Sequence, residues 1–290
     1  MDNLRGIIWM TLAMLTFALA DMFIVLSADT VPTGQIVVTF GLFGAPLLAG
    51  YAKLQGVKLL SPVLFTRPVI IRNLAEIWGT LAVVTALANL PFALVSAVLQ
   101  ATPLLVTLGA AVFLRESVGW RRWLAIFVGL FGVLLILRPD QAGGEHGILL
   151  LLAILAVTGL SARDLSTRFV PKSIPSVQLA SYGFFSTIPA GLILMAFTGE
   201  LVPPTPATTA MLFGAAVFGA IAYFSITTAM RQGDIAVVTP FRYTRLIFAF
   251  TIAAIVFGEQ PGLSTWFGSA IVIATGLYTL AREARARRTP

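Results

Sequence analysis

Of the 290 residues, 58% are hydrophobic and only 11% are charged, whereas soluble domains carry about 25% charged residues. This composition excludes a soluble fold and indicates a lipid bilayer as the solvent of the chain. The absence of cysteine excludes disulfides, thiolate metal sites and cysteine nucleophiles. The net charge of +7 is spread over short hydrophilic loops and does not form one basic face, so we expect no nucleic-acid partner.

Apolar stretches of bilayer-spanning length follow one another along nearly the whole chain. Short connections that contain proline and glycine separate them, as is typical of turns. The predicted transmembrane helices occupy residues 5–27, 33–51, 68–89, 92–114, 120–138, 147–167, 176–197, 208–230, 235–257 and 263–281. The predicted fold class is therefore an all-α integral membrane protein with ten spans.

The basic residues indicate how these helices are oriented. Ten spans place both termini on one side of the membrane, and a cytoplasmic position for them leaves Arg138 as the basic residue of the outer loops. The inner loops and the tail then contain most of the other arginines and lysines, and such an excess is typical of cytoplasmic segments. We predict a multi-pass protein of the bacterial inner membrane with cytoplasmic N- and C-termini.

The chain also matches itself when it is shifted by 143 residues. The matched pairs include Asp21 and Asp164, Gln35 and Gln178, Thr85 and Thr228, Glu116 and Glu259, and Trp123 and Trp266. We therefore predict a first five-helix repeat at 1–143, a second at 144–286 and a basic cytoplasmic tail at 287–290. The first apolar run resembles a cleavable signal peptide, but the repeat requires that this span is retained.

Five spans in each half give the two halves opposite orientations in the membrane. Inverted repeats of this kind are typical of secondary transporters, in which the substrate site lies near the midplane between the halves. Exchange of the conformations of the two halves then converts an outward-open cavity into an inward-open one. The sequence thus predicts alternating access through a central cavity.

Each half ends with a similar series of residues: a proline within an apolar segment, a glutamate after the apolar helix, and a final helix with glycines. In the first half these are Pro103, Glu116, Trp123 and Gly132, and in the second Pro240, Glu259, Trp266, Gly268 and Gly276. With this pattern the chain resembles the ten-span EamA type of the drug/metabolite transporter superfamily. Within it, the chain is most similar to bacterial amino-acid exporters, particularly exporters of aromatic amino acids.

The resemblance implies an exporter of aromatic and other neutral amino acids that uses no cofactor and no metal. The expected partners are the amino-acid substrate and membrane lipid, and we expect the monomer to be functional. A carrier for another small metabolite, such as a nucleoside, a vitamin or S-adenosylmethionine, is the alternative, with uptake as a further option. An intramembrane enzyme is excluded by inventory, because the chain has no HExxH motif, and a channel is disfavoured by the repeat.

Polar and ionisable residues inside spans mark functional positions, because burying them in a bilayer is costly. The candidate substrate-binding residues are Asn73, Glu76, Trp78 and Thr80 in the third span, Ser96 and Gln100 in the fourth, Ser161 in the sixth, Tyr223 in the eighth, and Thr239, Arg242, Tyr243 and Arg245 in the ninth. Three pairs of them are related by the 143-residue shift: Ser96 with Thr239, Gln100 with Tyr243, and Thr80 with Tyr223. Pro103 and Pro240 are expected to kink their helices and expose carbonyl groups.

We assign roles to these residues from their chemistry. Aromatic walls are expected from Trp78, Tyr223 and Tyr243. Arg242 or Arg245 is a candidate to hold a carboxylate through its planar guanidinium. Glu76 is a candidate to bind an amino group or to exchange a proton.

Structural roles compete with these assignments. Glu76 and Arg245 lie at similar depths in the membrane and are candidates for a mutual ion pair. Arg242 is a candidate for a position at the membrane interface. Trp78 is a candidate for contact with lipid or with a neighbouring helix. For four matched acids we favour other roles than substrate contact. Asp21 and Asp164 are expected to be structural or to act in gating, and Glu116 and Glu259 to cap helices or to dock the repeats.

Overall fold

The computed structural model of the chain describes residues 2–113, 119–138, 145–167, 169–171, 173–198, 201–232 and 235–286. Within these ranges the regular structure is helical and contains no strand, which confirms the predicted all-α class. Nine helical segments of the described part are long and apolar enough to cross a membrane. Glu116, the predicted boundary between residues 143 and 144, and the tail 287–290 lie outside the described residues.

Twelve α-helices, α1 to α12, follow one another in the described part. Their bounds are Asp2–Ala28 (α1), Thr33–Leu54 (α2), Arg67–Asn89 (α3), Phe92–Leu99 (α4), Thr102–Phe113 (α5), Trp120–Leu137 (α6), Glu145–Thr167 (α7), Ser176–Thr198 (α8), Pro206–Gln232 (α9), Ile235–Val238 (α10), Thr244–Val256 (α11) and Leu263–Ala286 (α12). Short 3₁₀ segments lie at Pro62–Phe65 and Thr239–Tyr243. These bounds place a helix in every predicted span.

Two of the predicted spans are not continuous α-helices. The fourth is divided between α4 and α5 just before Pro103, and the ninth consists of α10, the 3₁₀ segment around Pro240, and α11. The ninth predicted span, 235–257, thus contains three helical segments. A proline has no N–H for an i→i−4 bond and its ring clashes with the preceding turn, so the helix is interrupted where these prolines stand. The expected kinks are confirmed.

The most extensive helix contacts join helices from opposite parts of the chain. In the described residues these contacts pair α1 with α9, α3 with α7, α2 with α8, and α6 with α12. Small residues allow the backbones to approach closely: a Cβ atom added at Gly132 of α6 would lie only 2.9 Å from the carbonyl oxygen of Gly268 of α12. The glycine-bearing faces are thus helix-packing faces, as is common in membrane proteins.

Side-chain hydrogen bonds also join two helices to connecting segments. The amide of Gln35 donates to the carbonyl of Val202 (2.7 Å) and accepts from its N–H (3.1 Å), and the amide of Gln178 donates to the carbonyl of Lys58 (2.9 Å). Gln35 and Gln178 are related by the 143-residue shift, so matched residues make comparable contacts. Each glutamine holds a connection of the opposite part of the chain.

Glu259 caps a helix of the first half of the chain. Its two carboxylate oxygens accept from the backbone N–H groups of Phe92 (2.6 Å) and Ala93 (2.8 Å), which belong to the first turn of α4. These N–H groups have no partner within the helix, and a carboxylate satisfies both of them. The expected capping role of Glu259 is confirmed.

Candidate functional site

A cavity of about 120 Å³ is lined by residues from both the first and the second half of the chain. Its walls come from α1, α2, α3, α4, α5, α7 and α9 and from the ninth span. The polar side chains that line it are Asp21, Glu76, Thr80, Gln100, Thr102, Arg163, Tyr223, Arg242 and Arg245. We call this space the central cavity.

Glu76 is the most enclosed carboxylate of the cavity, with 2% of its surface exposed. It accepts a hydrogen bond from the hydroxyl of Tyr223 (2.8 Å) and lies 3.2 Å from a guanidinium nitrogen of Arg163 and 3.4 Å from one of Arg72. The expected pair of Glu76 and Arg245 is therefore wrong. Because two arginines already compensate the carboxylate, it is poorly placed to receive an amino group.

Asp164 forms ion pairs with two arginines. Its carboxylate lies 2.8 Å from Arg163 and 3.2 Å from Arg242. The guanidinium of Arg242 thus points to a carboxylate inside the protein. Its expected position at the membrane interface stays a prediction. Arg163 connects Asp164 with Glu76, so the two carboxylates belong to one network.

Asp21 forms a separate ion pair with Arg245. The Arg245 guanidinium also lies over the ring of Phe17, 5.3 Å from its centroid, which favours the cation through the ring quadrupole. Asp21 and Asp164 are related by the 143-residue shift, and each binds an arginine of the ninth span. Their expected structural role agrees with these contacts.

The charged groups of the site do not balance. Within the described part of the chain, the network contains four arginines (Arg72, Arg163, Arg242 and Arg245) and three carboxylates (Asp21, Glu76 and Asp164). Counted as ionised, they leave one positive charge. The buried Nε atoms of Arg72 and Arg245 also have no hydrogen-bond acceptor. The cations of the network therefore outnumber its carboxylates, and a ligand with hydrogen-bond acceptors would suit the arginines that line the cavity.

Aromatic rings form one wall of the central cavity. Tyr223 contacts Phe17 (centroids 5.5 Å apart) and Phe184 (5.3 Å), and Phe184 stacks on Phe40 (4.8 Å). These rings come from α1, α2, α8 and α9. Phe17 and Phe40 face the cavity directly, so a planar ligand would find both ring faces and guanidinium groups there.

The structure brings six of the predicted site residues to the central cavity and places the other six elsewhere. Those at the cavity are Glu76, Thr80, Gln100, Tyr223, Arg242 and Arg245. Asn73 accepts a hydrogen bond from Arg72 (3.0 Å), and Ser161 donates one to the carbonyl of Thr102 (3.3 Å). Both residues therefore contact residues of the site without lining the cavity. Ser96 and Thr239 are buried, and their hydroxyl groups have no partner.

Trp78 and Tyr243 are the two aromatic residues of the predicted site that do not line the cavity. Trp78 is 50% exposed on the outside of the bundle, because a residue two positions after Glu76 points to the opposite side of a helix. Tyr243 is buried with its hydroxyl against Gly276. It lines an apolar groove of about 790 Å³ along α11 and α12 whose residues, such as Ile247, are exposed on the bundle surface. Of the three matched pairs, only Thr80 and Tyr223 both reach the cavity.

Several residues of the site were not among the predicted ones. Arg72, Arg163, Asp21 and Asp164 are ionisable groups within spans, and this property alone was a sufficient signal to select them. Phe17 and Phe40 carry no such signal, because phenylalanine in an apolar helix is equally compatible with lipid contact. In the described residues no cluster of metal-ligating side chains is found.

The central cavity is smaller than most ligand sites, whose volumes are about 300–1,000 Å³. At about 120 Å³ it holds only part of a metabolite with several rings. A ligand of the usual size would therefore require the surrounding helices to move apart.

The sequence profile of the EamA-like transporter family matches residues 4–138 and again residues 147–281. A riboflavin transporter of Rhizobium johnstonii is 31% identical to this chain over 217 residues, which cover 73% of this chain and 69% of that protein. An S-adenosylmethionine uptake transporter of Rickettsia prowazekii is 25% identical over 284 residues, or 97% of this chain and 94% of that protein. A protein of known crystal structure superposes with a TM-score of 0.69 over 97% of this chain and 98% of its own, at 17% identity, which concerns the fold alone.

These similarities support the predicted family but not the predicted substrate. They confirm the resemblance to the drug/metabolite transporter superfamily, but these relatives are named for riboflavin and S-adenosylmethionine and give no support to the expected similarity with amino-acid exporters. The family profile covers nearly the whole chain, and the apolar helices have the length that a membrane requires. The chain is a multi-pass membrane protein and belongs to the EamA-like transporter family.

Proposed function

We propose that the protein is a secondary transporter that carries a flavin-type vitamin, such as riboflavin, across the membrane through the central cavity. The observation that carries this proposal is the combination of arginine side chains, which outnumber the carboxylates of the network, with aromatic walls in one buried site. Riboflavin is neutral and has a planar three-ring system whose carbonyl oxygens and ring nitrogens accept hydrogen bonds. Its ring faces suit Phe17, Phe40 and Tyr223, and its acceptors suit the arginines.

The charge of the site disfavours the other named substrate. S-adenosylmethionine carries a positive sulfonium group in addition to its amino-acid charges, and a site with one excess positive charge repels it. A relative of 25% identity transports that compound, while the relative of 31% identity is a riboflavin transporter. The excess positive charge of the site and the higher sequence identity both favour riboflavin over S-adenosylmethionine.

Amino acids fit the site less well for a different reason. Their carboxylate suits an arginine, but their ammonium group needs an anionic partner that is not already compensated. Glu76, Asp164 and Asp21 are all paired with arginines in the structure. An amino acid would have to break one of these pairs, so the vitamin is the preferred substrate.

We infer that residues 1–143 and 144–286 form inverted repeats that exchange conformations during transport. The helix pairs support this inference, because exchange of the two halves converts the α1–α9 contact into the α7–α3 contact and leaves the α2–α8 and α6–α12 pairs unchanged. The matched contacts of Gln35 and Gln178 agree with it, as does the twofold match of the family profile. The distribution of basic residues favours cytoplasmic termini in the bacterial inner membrane.

Reconstitution of the purified protein into liposomes tests the proposed substrate. We expect saturable uptake of radiolabelled riboflavin and its acceleration by unlabelled riboflavin inside the vesicles, a counterflow that a carrier shows and a channel does not. S-adenosylmethionine and tryptophan are the comparison substrates, and protein-free liposomes are the control. Counterflow of tryptophan without counterflow of riboflavin would instead assign the protein to amino-acid transport.

A further inference from the structure

A second cavity of about 190 Å³ adjoins the central cavity. It lies where α2 ends, α8 begins and α9 passes, and we call it the vestibule. The side chains that line it include Tyr51, Gln55, Ser176, Tyr223, Phe224 and Thr228. Tyr223 also lines the central cavity, so one side chain forms the wall between the two spaces.

Interactions with both halves hold Tyr223 in this position. Its ring packs edge-on against Phe17 of the first half (interplanar angle 67°) and against Phe184 of the second (73°). Its hydroxyl donates to Glu76 (2.8 Å) and accepts from Arg163 (2.9 Å). Because the four partners belong to different helices, movement of the helices would release the ring.

The vestibule has the same chemical character as the central cavity. The rings of Tyr51 and Phe224 meet edge-on, with centroids 4.9 Å apart, and Gln55 donates to the hydroxyl of Tyr51 (2.7 Å). Ser176 and Thr228 add hydroxyl groups. Aromatic faces beside amide and hydroxyl groups suit a planar molecule with polar edges.

The position that the 143-residue shift matches to one part of the vestibule is closely packed. The 143-residue shift relates Leu48 of the vestibule to Gly191, and a Cβ atom at Gly191 would collide with the backbone nitrogen of Val38. There α2 and α8 are in direct contact. The same shift relates Tyr223 to Thr80, whose side chain is too small to divide two cavities. Tyr223 is thus the residue that lines both the central cavity and the vestibule.

We propose that the vestibule is a second binding site for the transported metabolite and that Tyr223 is the gate between this site and the central cavity. The identity of the metabolite as a planar vitamin rests on the proposed function, whereas the gate rests on the two cavities and on the contacts of Tyr223. The substrate binds in the vestibule while the gate is closed. It then passes when the hydroxyl of Tyr223 leaves Glu76 and Arg163.

Thiol labelling tests the gate without any assumption about the substrate, because the chain has no cysteine. A single cysteine at Ser176→Cys reports on the vestibule and one at Thr80→Cys on the central cavity. Both are treated with a membrane-impermeant maleimide in proteoliposomes, and the face that labels Ser176→Cys defines the vestibule side. From that face we expect Tyr223→Ala to accelerate labelling of Thr80→Cys about tenfold, as for loss of a hydrogen bond to a charged group, and to leave Ser176→Cys unchanged.

Two further variants make the outcome decisive. Tyr278→Ala removes a tyrosine that is exposed on α12 and is the matched control, with no expected acceleration. Tyr223→Phe keeps the ring contacts and loses only the hydroxyl, so it is expected to fold and to give a smaller acceleration. An unchanged labelling rate of Thr80→Cys in both Tyr223 variants overturns the gate, and so does failure of Ser176→Cys to label from either face.

Substrate protection tests the binding site in the vestibule. We expect riboflavin to slow the labelling of Ser176→Cys at least severalfold while Tyr223 is intact, and protection of Thr80→Cys without protection of Ser176→Cys overturns the second site. If Tyr223→Ala accelerates the labelling but riboflavin protects neither cysteine, the gate is correct and the proposed vitamin substrate is wrong. The two failures are therefore distinguishable.

Discussion

Glu76 shows how the ion pairs of the site depend on one another. The carboxylate is buried between Arg72 and Arg163 and also holds the hydroxyl of Tyr223. A buried ion pair adds little net stability, but removal of one partner leaves an uncompensated charge in a low-dielectric interior. Glu76 thus compensates the charge of two arginines. Its removal is expected to lower the stability by more than the loss of its own hydrogen bonds.

We expect Glu76→Gln to lower the free energy of unfolding by about 3 kcal/mol, because two buried guanidinium groups lose their shared carboxylate. Unfolding in detergent micelles, followed by circular dichroism, measures this change. The double variant Arg72→Gln/Glu76→Gln restores the net charge of the parent site and is expected to be more stable than the single one. Equal stability of Glu76→Gln and the parent would show that the carboxylate does not compensate the arginines.

Phe17 and Trp78 form a matched pair for testing the aromatic wall. Phe17 faces the central cavity beneath the Arg245 guanidinium, whereas Trp78 is half exposed on the outside of the bundle. We expect Phe17→Leu to raise the KM for riboflavin by about fivefold, as for loss of one aromatic contact of about 1 kcal/mol, and Trp78→Leu to leave it unchanged. Initial uptake rates in proteoliposomes measure both, and the reverse order would place the binding site elsewhere.

At the scale of elements, the broken fourth and ninth spans determine where the site lies. The α4–α5 break brings Gln100, Thr102 and Pro103 to the cavity, and the 3₁₀ segment of the ninth span brings Arg242 there and turns Tyr243 away. A continuous helix would rotate these residues by a different angle, since 3₁₀ and α-helices differ in residues per turn. The interruptions therefore select which side chains of these spans meet the substrate.

The capping of α4 by Glu259 is a second interaction between elements. We expect Glu259→Ala to lower the free energy of unfolding by about 2 kcal/mol, because the N–H groups of Phe92 and Ala93 lose their common acceptor. The variant Glu259→Gln keeps one amide oxygen as acceptor and is expected to retain part of this energy. Thermal unfolding in micelles compares the three proteins, and an alanine variant as stable as the parent would contradict the capping role.

At the scale of the whole molecule, the architecture was largely predictable and the interior of the site only in part. The apolar runs located a helix in every predicted span, and the 143-residue shift selected Gln35 and Gln178, which make comparable contacts in the structure. The spacing of residues along one helix could not show which face turns inward, so Trp78 was selected and Phe17 was not. The pairing of Arg245 with Asp21 joins residues more than 200 positions apart and depends on the packing of α1 against the ninth span.

The central claim is that the cavity lined by both halves of the chain binds a flavin-type vitamin, and substrate protection of a cysteine inside it is the most direct test. The cysteine of Thr80→Cys lies in the cavity, and that of Thr66→Cys, exposed in the α2–α3 connection, is the control. We predict that riboflavin slows maleimide labelling of Thr80→Cys saturably and leaves Thr66→Cys unaffected, while S-adenosylmethionine and tryptophan protect neither. Labelling of Thr80→Cys that is indifferent to riboflavin, or that tryptophan slows instead, would contradict this account.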